Sequence, residues 1–231
     1  MIQPGVVNYI FGSPGSGKST VLAQISRWYL KKGATVYANF PLEGTILIDD
    51  KDIGYYNFHN SVILLDEAGI SYNNREAFSK KGLMQDPARL QYWKLVRHYL
   101  QVPGGFKGSL FIASQSWEDV DKKVRDLSTN YFLIKKAIIP CFTIIKPIYK
   151  KVEIDDQTHQ PTDFYVLGTI FSWRLCFRRK YYKYFDSFIA PELPDYPDQN
   201  GDKHENNFDN FVSVSGTVSS KLYRNVSSLN L

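Results

Sequence analysis

Eight consecutive residues, Gly12-Ser13-Pro14-Gly15-Ser16-Gly17-Lys18-Ser19, constrain this chain more than any other stretch. They fill every fixed position of the G-x-x-x-x-G-K-S pattern. An apolar run at 6–11 precedes them and reads as a strand; residues 20–32 follow and read as a helix. Glycines let the backbone curl closely around a phosphate, so that amide N–H groups point inward. The helix N-terminus adds its partial positive charge. The pattern therefore assigns Gly12, Ser13, Pro14, Gly15, Ser16, Gly17, Lys18, Ser19 and Thr20 to the phosphates of a nucleoside triphosphate, read here as ATP. Lys18 is expected to reach the β- and γ-phosphates, and the Ser19 hydroxyl to ligate Mg²⁺.

A second motif completes the first. Val62-Ile63-Leu64-Leu65 is a run of four apolar residues, as expected of a strand buried on both faces of a parallel sheet. Asp66 and Glu67 stand at its C-terminal end, where such sheets bind ligands. In a Walker B pattern of this kind Asp66 holds the metal, and Glu67 orients or deprotonates the attacking water. An acid directly after the metal-binding Asp favours a hydrolysing motor over a kinase. Residues 109–114 read as the next buried strand, ending at Gln115, whose amide beside Walker B is a candidate sensor of the γ-phosphate.

The remaining elements alternate as in a doubly wound fold. Strands are expected at 34–39, 45–49 (short, at an edge) and 130–134, and helices at 88–101 and 117–127. The first of these helices follows Asp86-Pro87, a cap and first-turn pair, and repeats Leu90, Trp93, Val96 and Leu100 at helical spacing. At 231 residues the chain has room for one such domain and an appendage. The expected organisation is an ATPase core over 1–136, appended strands and a basic-aromatic segment over 137–190, and a loosely held tail over 191–231, rich at first in Asp, Asn, Pro and Gly.

The net charge of +5 permits contact with nucleic acid or an anionic membrane without requiring either. Two cysteines, Cys141 and Cys176, have neither metal-ligand spacing nor a disulfide framework, which points to a reducing compartment. The most apolar late stretch, 164–177, contains Arg174 and is shorter than the about 20 residues a membrane-spanning helix needs. The chain reads as soluble or peripheral. Within 178–185, Arg-Arg-Lys-Tyr-Tyr-Lys-Tyr-Phe interleaves charge with rings. Three uses fit that pattern: stacking on single-stranded bases, lying on an anionic membrane, or packing its aromatics into the domain.

The early Walker A motif, the segment Val36-Tyr37-Ala38-Asn39-Phe40-Pro41-Leu42 and the Leu64-Leu65-Asp66-Glu67-Ala68 of Walker B together resemble the zonular occludens toxin (Zot) family, the assembly ATPases of filamentous phages. The order of the later segments, with Arg97-His98, the strand ending in Gln115 and then Val124-Arg125, fits as well. The resemblance spans roughly residues 5–190. It implies an α/β P-loop NTPase fold, RecA/FtsK-HerA-like, with a mostly parallel central sheet flanked by helices and a small C-terminal β-containing appendage. It also implies a homo-oligomeric ring acting on phage DNA with other phage assembly proteins, in the host cytoplasm or at the inner face of the cell membrane. Such a ring takes an arginine finger from a neighbouring subunit. Arg75, Arg89, Arg97 and Arg125 are candidates, Arg97 and Arg125 first because they match the family's order.

The family carries a membrane span after its ATPase domain, and this chain shows none. That departure brings in a related reading, the packaging ATPases of tailless double-stranded DNA viruses. An ATP-dependent switch with little turnover is a third. A kinase is weaker, since neither an arginine-rich lid nor an acceptor pocket is evident.

Overall fold

The structure, a computed structural model, describes residues 6–56, 58–68, 87–101, 108–154 and 161–185. Strand β1 (Val7–Phe11) leads through the glycine-rich loop into helix α1 (Lys18–Leu30), followed by β2 (Thr35–Ala38) and the two-residue β3 (Ile46–Leu47). Then come β4 (Ser61–Leu65), helix α2 (Pro87–Leu100), β5 (Ser109–Ser114), the short helix α3 (Lys122–Asp126) and β6 (Asn130–Lys136). Three further strands follow: β7 (Phe142–Ile154), β8 (Pro161–Leu167) and β9 (Arg174–Phe177).

All nine strands among the described residues join one sheet, in the order β3-β2-β4-β5-β1-β6-β7-β8, with β9 also paired to β7. Every pairing from β3 to β6 is parallel, and those made by β7 are antiparallel. This is the mostly parallel α/β sheet expected from the sequence, with β5 inserted between the strands of the two phosphate motifs.

Both faces of the sheet are covered, which explains the unbroken apolar runs. In β4, Val62 and Leu64 turn to one side and meet Val21, Leu22, Ile25 and Tyr29 of α1. Ile63 and Leu65 turn to the other and meet Tyr92, Trp93, Val96 and Leu100 of α2, and Val124 of α3. A strand's period of two thus serves two cores at once. Stacking α1 and α2 on opposite faces fixes the C-terminal ends of β1, β2, β4 and β5 against one another, and the site is built there.

One element departs from the sequence reading. Only residues 122–126 of the expected 117–127 helix are helical, because the Asp121 carboxylate accepts from the Lys123 amide at 2.7 Å and fixes the start there. Residues 142–154 form one long strand that contains Pro147. In a strand the N–H and C=O of a residue point the same way. The Pro147 carbonyl accepts from Gly168 N at 2.8 Å, on the side away from β6. The missing donor therefore faces the gap where β9 pairing stops at Ile145 and β8 pairing starts at Ile148, and costs the β6 ladder nothing.

Residues 178–185 form two 3-10 turns, and the aromatics mostly face inward. Tyr181, Tyr184 and Phe185 pack against the core on the α1 side, the Tyr184 ring lies 4.4 Å from the Arg27 guanidinium, and Phe185 bridges to Leu42. Arg179, Lys180, Lys183 and Tyr182 remain exposed. Of the three uses considered for this segment, internal packing accounts for most of its rings. Among the described residues, no helix is long and apolar enough to cross a membrane. Met1–Ile189 form one compact unit and Ala190–Leu231 another; the latter, with the expected tail, lies outside the described residues.

Candidate nucleotide site

The phosphate loop is held from outside so that its inside is free. Gly17 begins α1 with φ 102°, a left-handed conformation costly for other residues, and any Cβ there would collide with Thr143 Oγ1 of β7. Gly12 is equally confined, since a Cβ would run into the Ile134 carbonyl of β6. Thr143 donates its hydroxyl to the Ser16 carbonyl at 2.9 Å. Because the peptide is planar and trans, a Ser16 carbonyl turned outward sends the Gly17 N–H inward. Gly12 N donates to the Ser114 carbonyl at 3.3 Å, tying the loop's start to the end of β5. The first helical bond runs from Val21 N to the Gly17 carbonyl at 3.0 Å, so the amides of Lys18, Ser19 and Thr20 lack partners within the helix.

Lys18 is 6% exposed, and its ammonium donates to the Gly12 carbonyl at 3.0 Å across the loop. Ser13, Pro14 and Gly15 form the exposed crest. Ser16 Oγ is buried with no hydrogen-bond partner among the described residues. A loop with inward amides, a buried cation and an unpaired hydroxyl suits a phosphate chain.

The Walker B strand delivers its acids beside the loop. Ser19 Oγ donates to Asp66 Oδ2 at 2.6 Å, and Glu67 N donates to Asp66 Oδ1 at 3.0 Å. Burial pushes the Asp66 carboxyl above the usual carboxylate range and outweighs those two bonds; the neighbouring Glu67 charge pushes it further and Lys18 pulls it back. A half-buried carboxylate paired with a hydroxyl is a hard-oxygen donor set, and it fits Mg²⁺. Ser19 and Asp66 would hold the ion, with ordered water and substrate oxygens completing its shell.

Asn39, at the end of β2, fixes Asp66 through its backbone. Its Oδ1 accepts from Asp66 N at 2.8 Å, while its Nδ2 donates to the Asp66 carbonyl at 2.9 Å and to Asp50 Oδ1 at 3.0 Å. The side-chain amide extends the β2–β4 ladder past its last strand pair, Ala38 and Leu64. Glu67 has φ 50°, uncommon for a residue with a side chain and the kind of strain found at functional sites. Gln115 Nε2 donates to Glu67 Oε2 at 2.9 Å. Tyr9, buried in β1, donates to the Ser116 carbonyl at 2.9 Å and stands 2.6 Å from Ser114 Oγ, so it supports the turn that carries Gln115.

The arginine candidates divide. Arg125 uses its guanidinium within its own chain, donating to the Trp117 carbonyl at 2.7 Å and lying 5.0 Å from the Trp117 ring centroid. It is a brace for the turn after β5. Arg97 is exposed near the end of α2, and that end lies at the start of β4 and β5, where the Leu100 and Ser61 carbonyls crowd Gly108. It is therefore remote from the phosphate loop of its own subunit. Arg89, in the first turn of α2, lies against Gly54 and 5.4 Å from the Tyr55 ring centroid. Arg75 lies outside the described residues.

The structure thus brings together Gly12, Ser16, Gly17, Lys18, Ser19, Asp66, Glu67 and Gln115, and does not bring Arg97 or Arg125 to them. Sequence reasoning missed the roles of Asn39 and Thr143. For Asn39 a signal existed: a polar residue ending the β2 run, next to the acid-bearing strand. Thr143 carried none, being one residue within a long apolar stretch.

No protein-family model matches the sequence, and no curated protein matches it. Among solved structures, the chain is similar to the N-terminal domain of zonular occludens toxin from Neisseria meningitidis, with 17% identity and a TM-score of 0.45 over 79% of this chain and 100% of that one. It is similar to the genome packaging NTPase B204 from Sulfolobus turreted icosahedral virus 2, solved in complex with ATP-gammaS, with 11% identity and a TM-score of 0.44 over 70% of this chain and 98% of that one. It is also similar to the RadB recombinase, with 15% identity and a TM-score of 0.38 over 70% of this chain and 86% of that one.

Proposed function

We propose that this chain is a Mg²⁺-dependent ATPase that drives the movement of phage DNA during virion assembly. The observation that carries the ATPase reading is the convergence of two motifs 47 residues apart, with Ser19 Oγ on Asp66 at 2.6 Å and Glu67 held at their side by Gln115. When bound, Mg²⁺ supplies charge neutralisation for the β- and γ-phosphate oxygens. Lys18 leaves the Gly12 carbonyl for those same oxygens. The inward amides of the loop take the phosphate oxygens, and Glu67 accepts a proton from the attacking water. Gln115 sets the direction of the Glu67 carboxylate, so loss of the terminal phosphate reaches the end of β5 through one hydrogen bond.

The DNA motor is supported by the resemblance of the Walker motifs and the Tyr37-Ala38-Asn39 segment to the Zot family. In that reading the chain forms a homo-oligomeric ring in the host cytoplasm or peripherally at the inner face of the membrane, with other phage proteins as partners. The trans arginine is an exposed one, with Arg97 free to face a neighbour in a way that Arg125 is not. Packaging of a viral genome into a capsid is the alternative use of the same motor.

The test is ATP hydrolysis by the full chain with and without single- and double-stranded DNA, beside Glu67→Gln. The expected result is stimulation by one form of DNA, with turnover lowered about a hundredfold or more in the variant while ATP binding persists. Binding without turnover on any DNA would sink the motor and leave a nucleotide switch.

A further inference from the structure

Two cations flank the phosphate loop on the side away from Ser19 and Asp66. Arg178, directly after β9, places its two terminal nitrogens 3.4 and 3.5 Å from the Gly15 carbonyl. These are long contacts for a guanidinium, which ordinarily closes on oxygen at about 2.7–2.9 Å when the acceptor is charged. Its Nε lies 3.4 Å from where a Cβ on Gly17 would be, and is buried with no hydrogen-bond partner among the described residues. Lys136, ending β6, has its ammonium 3.5 Å from where a Cβ on Gly15 would be. Neither side chain forms an ion pair with a described carboxylate. Two positive charges therefore converge on the crest of one loop, where among the described residues Arg178 meets a neutral carbonyl and no carboxylate.

Sheet order gives the polarity. Asp66 follows β4; β5 and β1 come next, and then β6, β7 and β9, which carry Lys136, Thr143 and Arg178. The metal pair marks the terminal-phosphate end of the site. The opposite flank faces the nucleoside end.

We propose that Arg178 and Lys136 form a second phosphate-binding subsite, which takes the nucleoside-proximal phosphates of a nucleoside di- or triphosphate. The assignment rests on the nucleotide-site reading above. Arg178 presents a planar fork suited to two oxygens of one phosphate, and Lys136 adds a mobile point charge. Lys136 ends β6, the last of the parallel strands, and Arg178 follows β9 beyond it, so this flank of the sheet responds directly to whether nucleotide is bound, whichever nucleotide it is.

The experiment is calorimetric binding of ATP and of ADP to the full chain and to Lys18→Ala, Lys136→Ala, Arg178→Lys and Arg178→Gln, with melting temperatures taken without nucleotide. Arg178→Gln keeps a donor for the Gly15 carbonyl and drops the charge, so it separates holding the loop from binding phosphate. The expected result is an unshifted melting temperature with affinity for ATP and ADP weakened alike, by about tenfold. Arg178→Lys recovers most of that loss, and Lys136→Ala loses about threefold for both nucleotides. Wild-type affinity in Arg178→Gln while Lys18→Ala abolishes binding overturns the subsite alone. A loss confined to ATP overturns it too, by moving Arg178 to the terminal phosphate. Absence of binding in the wild type overturns the underlying nucleotide reading.

Discussion

At the scale of single residues, Asp66 shows how function is kept at a cost in stability. Its carboxylate is desolvated, and the bonds from Ser19 Oγ and Glu67 N offset only part of that penalty, so its proton affinity rises. An amide in its place would keep an oxygen for the Glu67 N–H and turn its nitrogen to Ser19 Oγ, which can accept. Asp66→Asn should therefore stabilise the nucleotide-free chain by about 1 kcal/mol, or about 2–4 °C in melting temperature for a domain of this size. If the chain is the proposed Mg²⁺-dependent ATPase, the same substitution removes a charged ligand for the ion and should lower hydrolysis at least about a hundredfold. Thermal melts beside turnover assays check both halves. A variant that melts lower than wild type would show that the folded chain already compensates the Asp66 charge.

At the scale of elements, the loop between β1 and α1 depends on a strand more than a hundred residues later. Thr143→Val keeps the volume at that point of β7 but leaves the Ser16 carbonyl without its 2.9 Å donor. The cost should be about 1–3 kcal/mol in stability, with weaker ATP binding because the Gly17 amide loses its fixed direction. Denaturant melts and ATP titration read the two effects; an unchanged ATP affinity would mean that Gly12 and Gly17 alone set the loop. Elements of this kind separate what is legible in the sequence from what is not. The loop and the acids at the end of β4 are legible because they fill fixed positions of local patterns, and Gln115 because it is the polar residue that ends a buried strand. Helix α2 is legible from Trp93, Val96 and Leu100, whose period matches the face they bury. Thr143, Lys136 and Arg178 meet the loop only because β6, β7 and β9 extend the sheet on that flank, and no local pattern encodes such a long-range pairing. Arg125 is a candidate from the order of the segments alone, and the contact it makes, with the Trp117 carbonyl of its own chain, is not announced by any local pattern.

At the scale of the whole molecule, the aromatic content is a structural resource. The core on the α2 side contains Tyr9, Tyr92 and Tyr131 as buried rings, with Trp93 among them. Burial pushes the Tyr9 phenol from 10.0 up to about 12, against a smaller pull from its bond with Ser114, and pushes Tyr92 and Tyr131 upward as well. On the other side, burial takes the Cys176 thiol from 9.0 to about 11, with the nearby Arg178 charge pulling back weakly. Each group is neutral when protonated, and each keeps its proton to higher pH in the folded chain than in the unfolded one. The folded state thus binds more protons above the unfolded pKa, and stability must fall as pH rises. The loss should begin near pH 9 with Cys176 and grow through pH 10–12 with the tyrosines, Tyr9 alone accounting for about 2–3 kcal/mol by the end. Below pH 9 these groups contribute no slope. Urea melts at pH 8, 9, 10 and 11, read with tyrosinate absorbance, should show a flat midpoint that then drops, and some tyrosines that ionise only as the chain unfolds. Reversible ionisation of all 16 tyrosines near pH 10 without loss of structure would mean that these rings are open to water. The two-faced sheet that aligns Ser19 with Asp66 would then lack the core that holds it.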